Sequence, residues 1–233
     1  MRSFATKHIC SLKIAVVAAF IVAGLSALIQ PMAAQDEIEF LPQAVDSKTF
    51  VLHANPKFAA CLSGTSGVAP SAKVTVTRGR LNDTLTITGA NFRPNLAFDM
   101  FTVERSNLLF DGTVDPNFTN FGMAWYQSDL QANGQGKFTA TIKTILLDQI
   151  FGFDPDQSNP HPINTFHVGF WFNNPNDANV DGLCTFDVTK PTPFNGEHTA
   201  GPVAMISVPN KSTNLGPLCT SPNTHTTPAS CNP

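Results

Sequence analysis

The stretch AKVTVTRGRLNDTLTITGANFRPNLAFDMFTVER, Ala72 to Arg105, decides the fold. Val74 and Val76 alternate with Thr75 and Thr77, and Leu85 and Ile87 alternate with Thr84, Thr86 and Thr88. Such alternation marks strands with one face on a core and the other in water. Gly79 with Asn82-Asp83, then Gly89, Asn91 and Pro94, separate the runs with residues that accept unusual φ or hydrogen-bond to nearby backbone. In the third run Phe98 and Met100 alternate with Asp99 and Phe101, so both faces carry apolar residues and the strand is expected in the interior of a sheet.

Further strands follow downstream. Met123 to Leu130 and Lys137 to Lys143 flank Asn133-Gly134, a strong short-range hairpin signal. Thr165 to Asn173 places Phe166, Val168, Phe170 and Phe172 on one face, with His167 and Trp171 on the other. Leu183 to Val188 and Val203 to Val208 read as the last strands, and Thr144 as the cap of one short helix over Ile145–Phe151, ended by Gly152. Upstream, Thr49 to Leu52 reads as a short edge strand and Phe58 to Leu62 as an apolar stretch. Many short strands with frequent turns predict an all-β fold, an immunoglobulin-like or Greek-key β-sandwich, with a β-barrel as the alternative. The expected organisation is a leader over 1–34, an arm and edge strand over 35–71, the sandwich over 72–209, and a Ser/Thr/Pro/Asn-rich tail over 210–233 too polar to order itself.

The leader reads as a secretory signal peptide. Arg2, Lys7 and Lys13 precede an apolar run from Ile14 to Ile29, then Pro31 and a cleavage site after Ala34. A bilayer-spanning helix needs about 20 apolar residues, more than this run supplies. Cys10 precedes the run and so is not the acylated first residue of a mature lipoprotein. Removing the leader takes three of the 14 basic residues and none of the 17 acidic ones, leaving a formal charge of −6. A sparse, scattered basic set on an acidic chain excludes the counterion-displacing surface of a nucleic-acid binder. No membrane contact is expected after cleavage. Export also frames the cysteines: Cys61, Cys184, Cys219 and Cys231 form an even set, expected as disulfides, with Cys61–Cys184 and Cys219–Cys231 the favoured pairing of three. Their spacing lacks the doublets of a zinc site.

Chemistry-bearing motifs are few. Asp177, Asn179 and Asp181 alternate before Gly182, like the first half of a calcium loop; the position for a bidentate Glu is instead Val188, so a plain Asn/Asp turn competes with calcium. Asp154, Asp156, Ser158 and His161 form a second polar cluster without a glycine turn, and no third ligand supports His161 and His167 as a metal pair. Gly64-Thr65-Ser66-Gly67 lacks the spacing of a nucleophile elbow, and Glu104 and Glu197 lie far apart in sequence, so no catalytic residue and no cofactor is nominated. Glu197-His198 falls in a connection, where solvation explains it as well as function. Trp125, Tyr126 and Trp171 lie on strands; adjacent residues face opposite ways, so one of Trp125 and Tyr126 is available as a platform for a sugar or protein surface unless all three are core. Asn82, Asn117 and Asn210 begin glycosylation sequons, meaningful only in a glycosylating source.

LTITGANF, Leu85 to Phe92, resembles the strand-and-turn signature of immunoglobulin-like IPT/TIG domains, where a Thr-rich strand ends in Gly-x-x-Phe. The likeness is local and implies a sandwich. Longer downstream loops and the expected helix depart from that family, so no binding residue is carried over. More broadly the chain resembles exported bacterial proteins, which implies a compartment and no activity. The resulting expectation is a secreted, non-enzymatic binding, adhesion or surface module, the alternative being a secreted hydrolase or calcium-dependent carbohydrate binder. A protein or glycan surface is the expected partner.

Overall fold

The computed structural model describes residues 47–64, 67–79, 81–147, 151–152, 163–189 and 198–219. Its strands are β1 (Ser47–Ala54), β2 (Ser71–Thr77), β3 (Asp83–Ala90), β4 (Ala97–Val103), β5 (Ala124–Gln131), β6 (Phe138–Thr144), β7 (Phe151–Gly152), β8 (Ile163–Asn164), β9 (His167–Phe172) and β10 (Val203–Ile206). Eight of them form one antiparallel sheet in the order β5-β4-β9-β10-β1-β2-β3-β6, while β7 and β8 pair separately. The all-β expectation holds, and its barrel alternative describes the sheet better than two separate layers. β1 pairs β2 through Ser47–Leu52 and then β10 through His53 and Ala54, carrying the sheet from one half to the other. The two edge strands, β5 and β6, are consecutive in sequence and meet at the Asn133–Lys137 turn.

Inward-facing residues of both halves make the main core. Val74, Val76, Leu85 and Ile87 meet Phe98, Met100, Val168 and Phe170, all at or near zero exposure. Phe98 lies 4.7 Å from Phe170 and 6.3 Å from Phe138 of β6. Each such side chain contributes about 1.5–3 kcal/mol by leaving water. Two glycines set close approaches here. A Cβ on Gly89 would stand 2.3 Å from the Phe138 ring, and one on Gly136, at φ +67°, would stand 2.0 Å from the Phe92 carbonyl oxygen. A second cluster covers the outer face of β4, β9 and β10, where Phe101, Trp171 and Ile206 are sealed by Leu108, Phe121 and Ala200 from the flanking connections. β9, buried along its whole length, therefore serves two cores.

Several sequence expectations are corrected. β1 is interior in the strand order, not an edge strand: Thr49–Leu52 pair with β2 alone, and the strand continues through His53 and Ala54 onto β10. Residues 145–147 do not begin a helix: β6 runs through Thr144, and the Leu146 and Leu147 amides donate to Asp83 Oδ2 at 3.1 and 2.7 Å. A buried carboxylate has captured the donors with which a helix would start. Residues 148–150 of that expected helix lie outside the described residues. The helical turn instead falls at α1 (Ala59–Ser63), with Cys61 and Leu62 buried. Leu183–Val188 is no strand either. Val180 and Cys184 close a local turn, and Leu183, Cys184 and Phe186 pack onto the core from a loop. The Cys61–Cys184 disulfide forms as expected across 123 residues. Cys219 is also disulfide-bonded, and Cys231, its expected partner, lies outside the described residues. In the expected tail, Leu218 is fully buried and its amide donates to the Phe166 carbonyl, so the stretch to Cys219 docks on β9 without regular structure.

Candidate functional site

Trp171 settles the aromatic question for one residue: it is 1% exposed, edge-on to Phe101 and Phe121. Trp125 and Tyr126 behave differently, at 51% and 37% exposed. Both sit on β5, whose outer edge pairs with no described strand. Tyr126 stands opposite Phe101 and stacks edge-on against it at 5.5 Å, while Trp125, opposite Thr102, leaves the other face.

A bulge makes this strand unusual. The β4–β5 register shifts between Met100 and Phe101, so Ser128 opposes Met100, Tyr126 opposes Phe101, and Gln127 is the extra residue. Tyr126 and Asp129, three apart and on opposite faces of a regular strand, thereby share one face, and the Tyr126 hydroxyl donates to Asp129 Oδ1 at 2.7 Å. Gln127 instead donates to Thr102 Oγ1 at 3.2 Å.

Asp99 lies directly across from Asp129 on that face, fully buried. Its Oδ1 accepts from Asn173 Nδ2 at 2.8 Å; its Oδ2 has no hydrogen-bond partner and lies 3.7 Å from His198 Nε2, on a ring 40% exposed. The same Nε2 is 3.1 Å from the Asn173 carbonyl oxygen. A buried oxygen left unpaired costs about 1–3 kcal/mol, and like charges opposed across strands add to that. The face thus joins an exposed Tyr ring, two carboxylates and an imidazole, an arrangement that stability alone does not favour.

Other candidates resolve into structure. Asp177 lies in a 3-10 turn, Pro175–Ala178, and its carboxylate accepts from Arg93 at 2.7 Å. Asn179 ends that turn, and Asp181 is in an exposed turn closed by the Val180 and Cys184 backbones. Among the described residues no group of three His, Cys, Asp or Glu converges as a metal site. His167 is buried, its Nδ1 3.2 Å from Ser207 Oγ, and burial pulls its pKa down to about 4. Glu104 anchors the loop after β4 by accepting from the Met123 amide and pairing with Arg105. Asn82, Asn117 and Asn210 are exposed. Asp154, Asp156, Ser158, His161, Glu197 and Cys231 lie outside the described residues.

The sequence led to an expectation of one exposed residue among Trp125 and Tyr126, or of all three aromatics in the core; both Trp125 and Tyr126 are exposed and Trp171 is buried. Neither Asp99 nor Asp129 was singled out. An Asp inside an otherwise fully buried strand was the available signal.

Fold and face together define an all-β protein built on one wound antiparallel sheet, with an aromatic, acidic edge. No protein-family model matches the chain, and no curated protein matches it in sequence.

Proposed function

We propose that this chain is an exported, non-enzymatic binding module whose contact surface is the β5 edge. The observation that carries the reading is the exposure of Trp125 and Tyr126 on a strand whose outer edge pairs with no described strand, in a protein that buries Trp171 almost completely. Large aromatics supply contact area at little conformational cost, which suits a binding surface. Export is supported by the leader and by a disulfide fixing two distant segments, a bond that persists in oxidising compartments. Among the described residues no helix is long and apolar enough to cross a membrane.

Calcium dependence is the less favoured version. Asp177, the first residue of the candidate loop, already has Arg93 as its counter-charge, which an ion would have to displace. The hydrolase alternative draws on His198 beside Asp99, since a carboxylate orienting an imidazole is how many general bases are held. Glycan and peptide arrays probed with the protein, with and without calcium, together with ester, peptide and glycoside turnover assays, separate the readings. Saturable binding without turnover is expected, lost in the Trp125→Ala/Tyr126→Ala double variant. Turnover, or full binding by the double variant, would remove the proposal.

A further inference from the structure

The outer face of β4 and β5 carries a second level of detail, which rests on the β5-edge reading. We infer that this face is a subsite for a neutral saccharide, with Tyr126, Asp129 and His198 as its contact residues and Asp99 as the positioning residue beneath them. The bulge at Gln127 is what assembles it, because it turns Tyr126 and Asp129 to the same side. Tyr126 is braced from below by Phe101 and tied at its hydroxyl to Asp129 Oδ1, so ring and carboxylate are held in a fixed relation. A pyranose needs such a pair: an aromatic surface for its C–H face, and fixed acceptors beside it for its hydroxyls.

Asp99 is the independent observation. Its carboxylate is fully buried, one oxygen lacks any hydrogen bond, and that oxygen points toward the partly exposed His198 ring. His198 Nε2 has two acceptors within reach, the Asn173 carbonyl and Asp99 Oδ2, and a small rotation exchanges them. When Nε2 turns to one of these oxygens the other is released, and a hydroxyl arriving with a ligand can donate to it. The charge of the site selects the ligand class. Two carboxylates face each other and none of the contact residues is Lys or Arg, so phosphate, sulfate and uronate groups are repelled and neutral hydroxyls are accepted.

The test is a saccharide array read with the intact protein, followed by calorimetry on the best-bound neutral oligosaccharide. Asp129→Asn, His198→Ala and Tyr126→Ala should each weaken binding roughly tenfold or more, the scale of one lost charged hydrogen bond or stacking contact. Asp99→Asn should shift the His198 ring resonances in NMR spectra while leaving the amide spectrum of the sheet in place, a change that a purely structural role would not produce. Three results overturn the subsite: an array flat for neutral sugars, preference for anionic sugars, or binding unaltered by Asp129→Asn and His198→Ala. In the last case, sensitivity to Trp125→Ala would leave the β5-edge reading standing, as would peptide binding lost in the Trp125→Ala/Tyr126→Ala variant. Loss of neither activity in that variant would remove the edge reading itself.

Discussion

Asp83 does more for the fold than its place at the start of β3 suggests. Its Oδ2 accepts the Leu146 and Leu147 amides and its Oδ1 the Gly79 amide, tying the β2–β3 connection to the end of β6 from a side chain 1% exposed. Asp83→Ala strands buried donors, and about 2–4 kcal/mol of unfolding free energy should disappear from urea titrations. His167 acts with opposite electrostatics. Burial lowers its pKa to about 4 from the ordinary 6.5, partly offset by the Ser207 backbone, so the folded protein holds it neutral at pH 7. The unfolded chain takes up that proton below about 6.5 while the folded one resists until about 4. Its contribution is therefore whole above 6.5 and shrinks as pH falls through that window, by up to ~1.4 kcal/mol per pH unit. Unfolding measured at pH 7.5, 5.5 and 4.5 should show a steeper loss in the wild type than in His167→Gln; parallel profiles would mean the imidazole titrates in the fold as it does in the unfolded chain. Asp177 completes this scale. Its half-exposed pair with Arg93 is worth below about 1 kcal/mol, so Asp177→Ala should lower the melting temperature slightly and equally with calcium or with chelator. A calcium-induced rise confined to the wild type would restore the calcium loop.

At the level of elements, periodicity was a good guide wherever a strand presents one face to the core. β2, β3 and β6 were legible because their inward residues recur every second position, and β9 by its Val168, Phe170 and Phe172 row although both of its faces are buried. Three kinds of feature were not. The order β5-β4-β9-β10-β1-β2-β3-β6 depends on long-range pairing, and nothing local in Thr49–Leu52 says that the strand will run on through His53 and Ala54 to pair with β10. A helix-like run at Ile145 was overridden by Asp83, a residue distant in sequence. The bulge at Gln127 breaks alternation, so the sharing of one face by Tyr126 and Asp129 could not be counted from residue numbers. Gly89 gives an element-scale prediction. Alanine there drives a methyl into the Phe138 ring and should cost about 1–3 kcal/mol by thermal unfolding, recovered in part by adding Phe138→Leu, which vacates the contact. An undiminished melting temperature would mean the β3–β6 contact is looser than described.

Among the described residues, one wound sheet supports two large buried clusters and a small third at Phe166 and Cys219, and one strand edge carries large exposed aromatics with an acidic face beside it. The disulfide from α1 to the loop after β9 reinforces the scaffold. Closing a loop that long restricts the unfolded chain by about 4–5 kcal/mol on an entropic model. Composition and fold class were readable because they depend on residue kinds and short periods. The site was half readable: Trp125 and Tyr126 stand out by type, but the Asp99–Asn173–His198 contacts join three separate parts of the chain. The most direct measurement compares ligand affinity of the wild type, the Trp125→Ala/Tyr126→Ala variant on β5, and a Thr139→Ala/Thr141→Ala control on β6, the opposite edge. Binding at least tenfold weaker for the β5 variant and unchanged for the β6 control is the predicted result; equal affinity in all three proteins would contradict it.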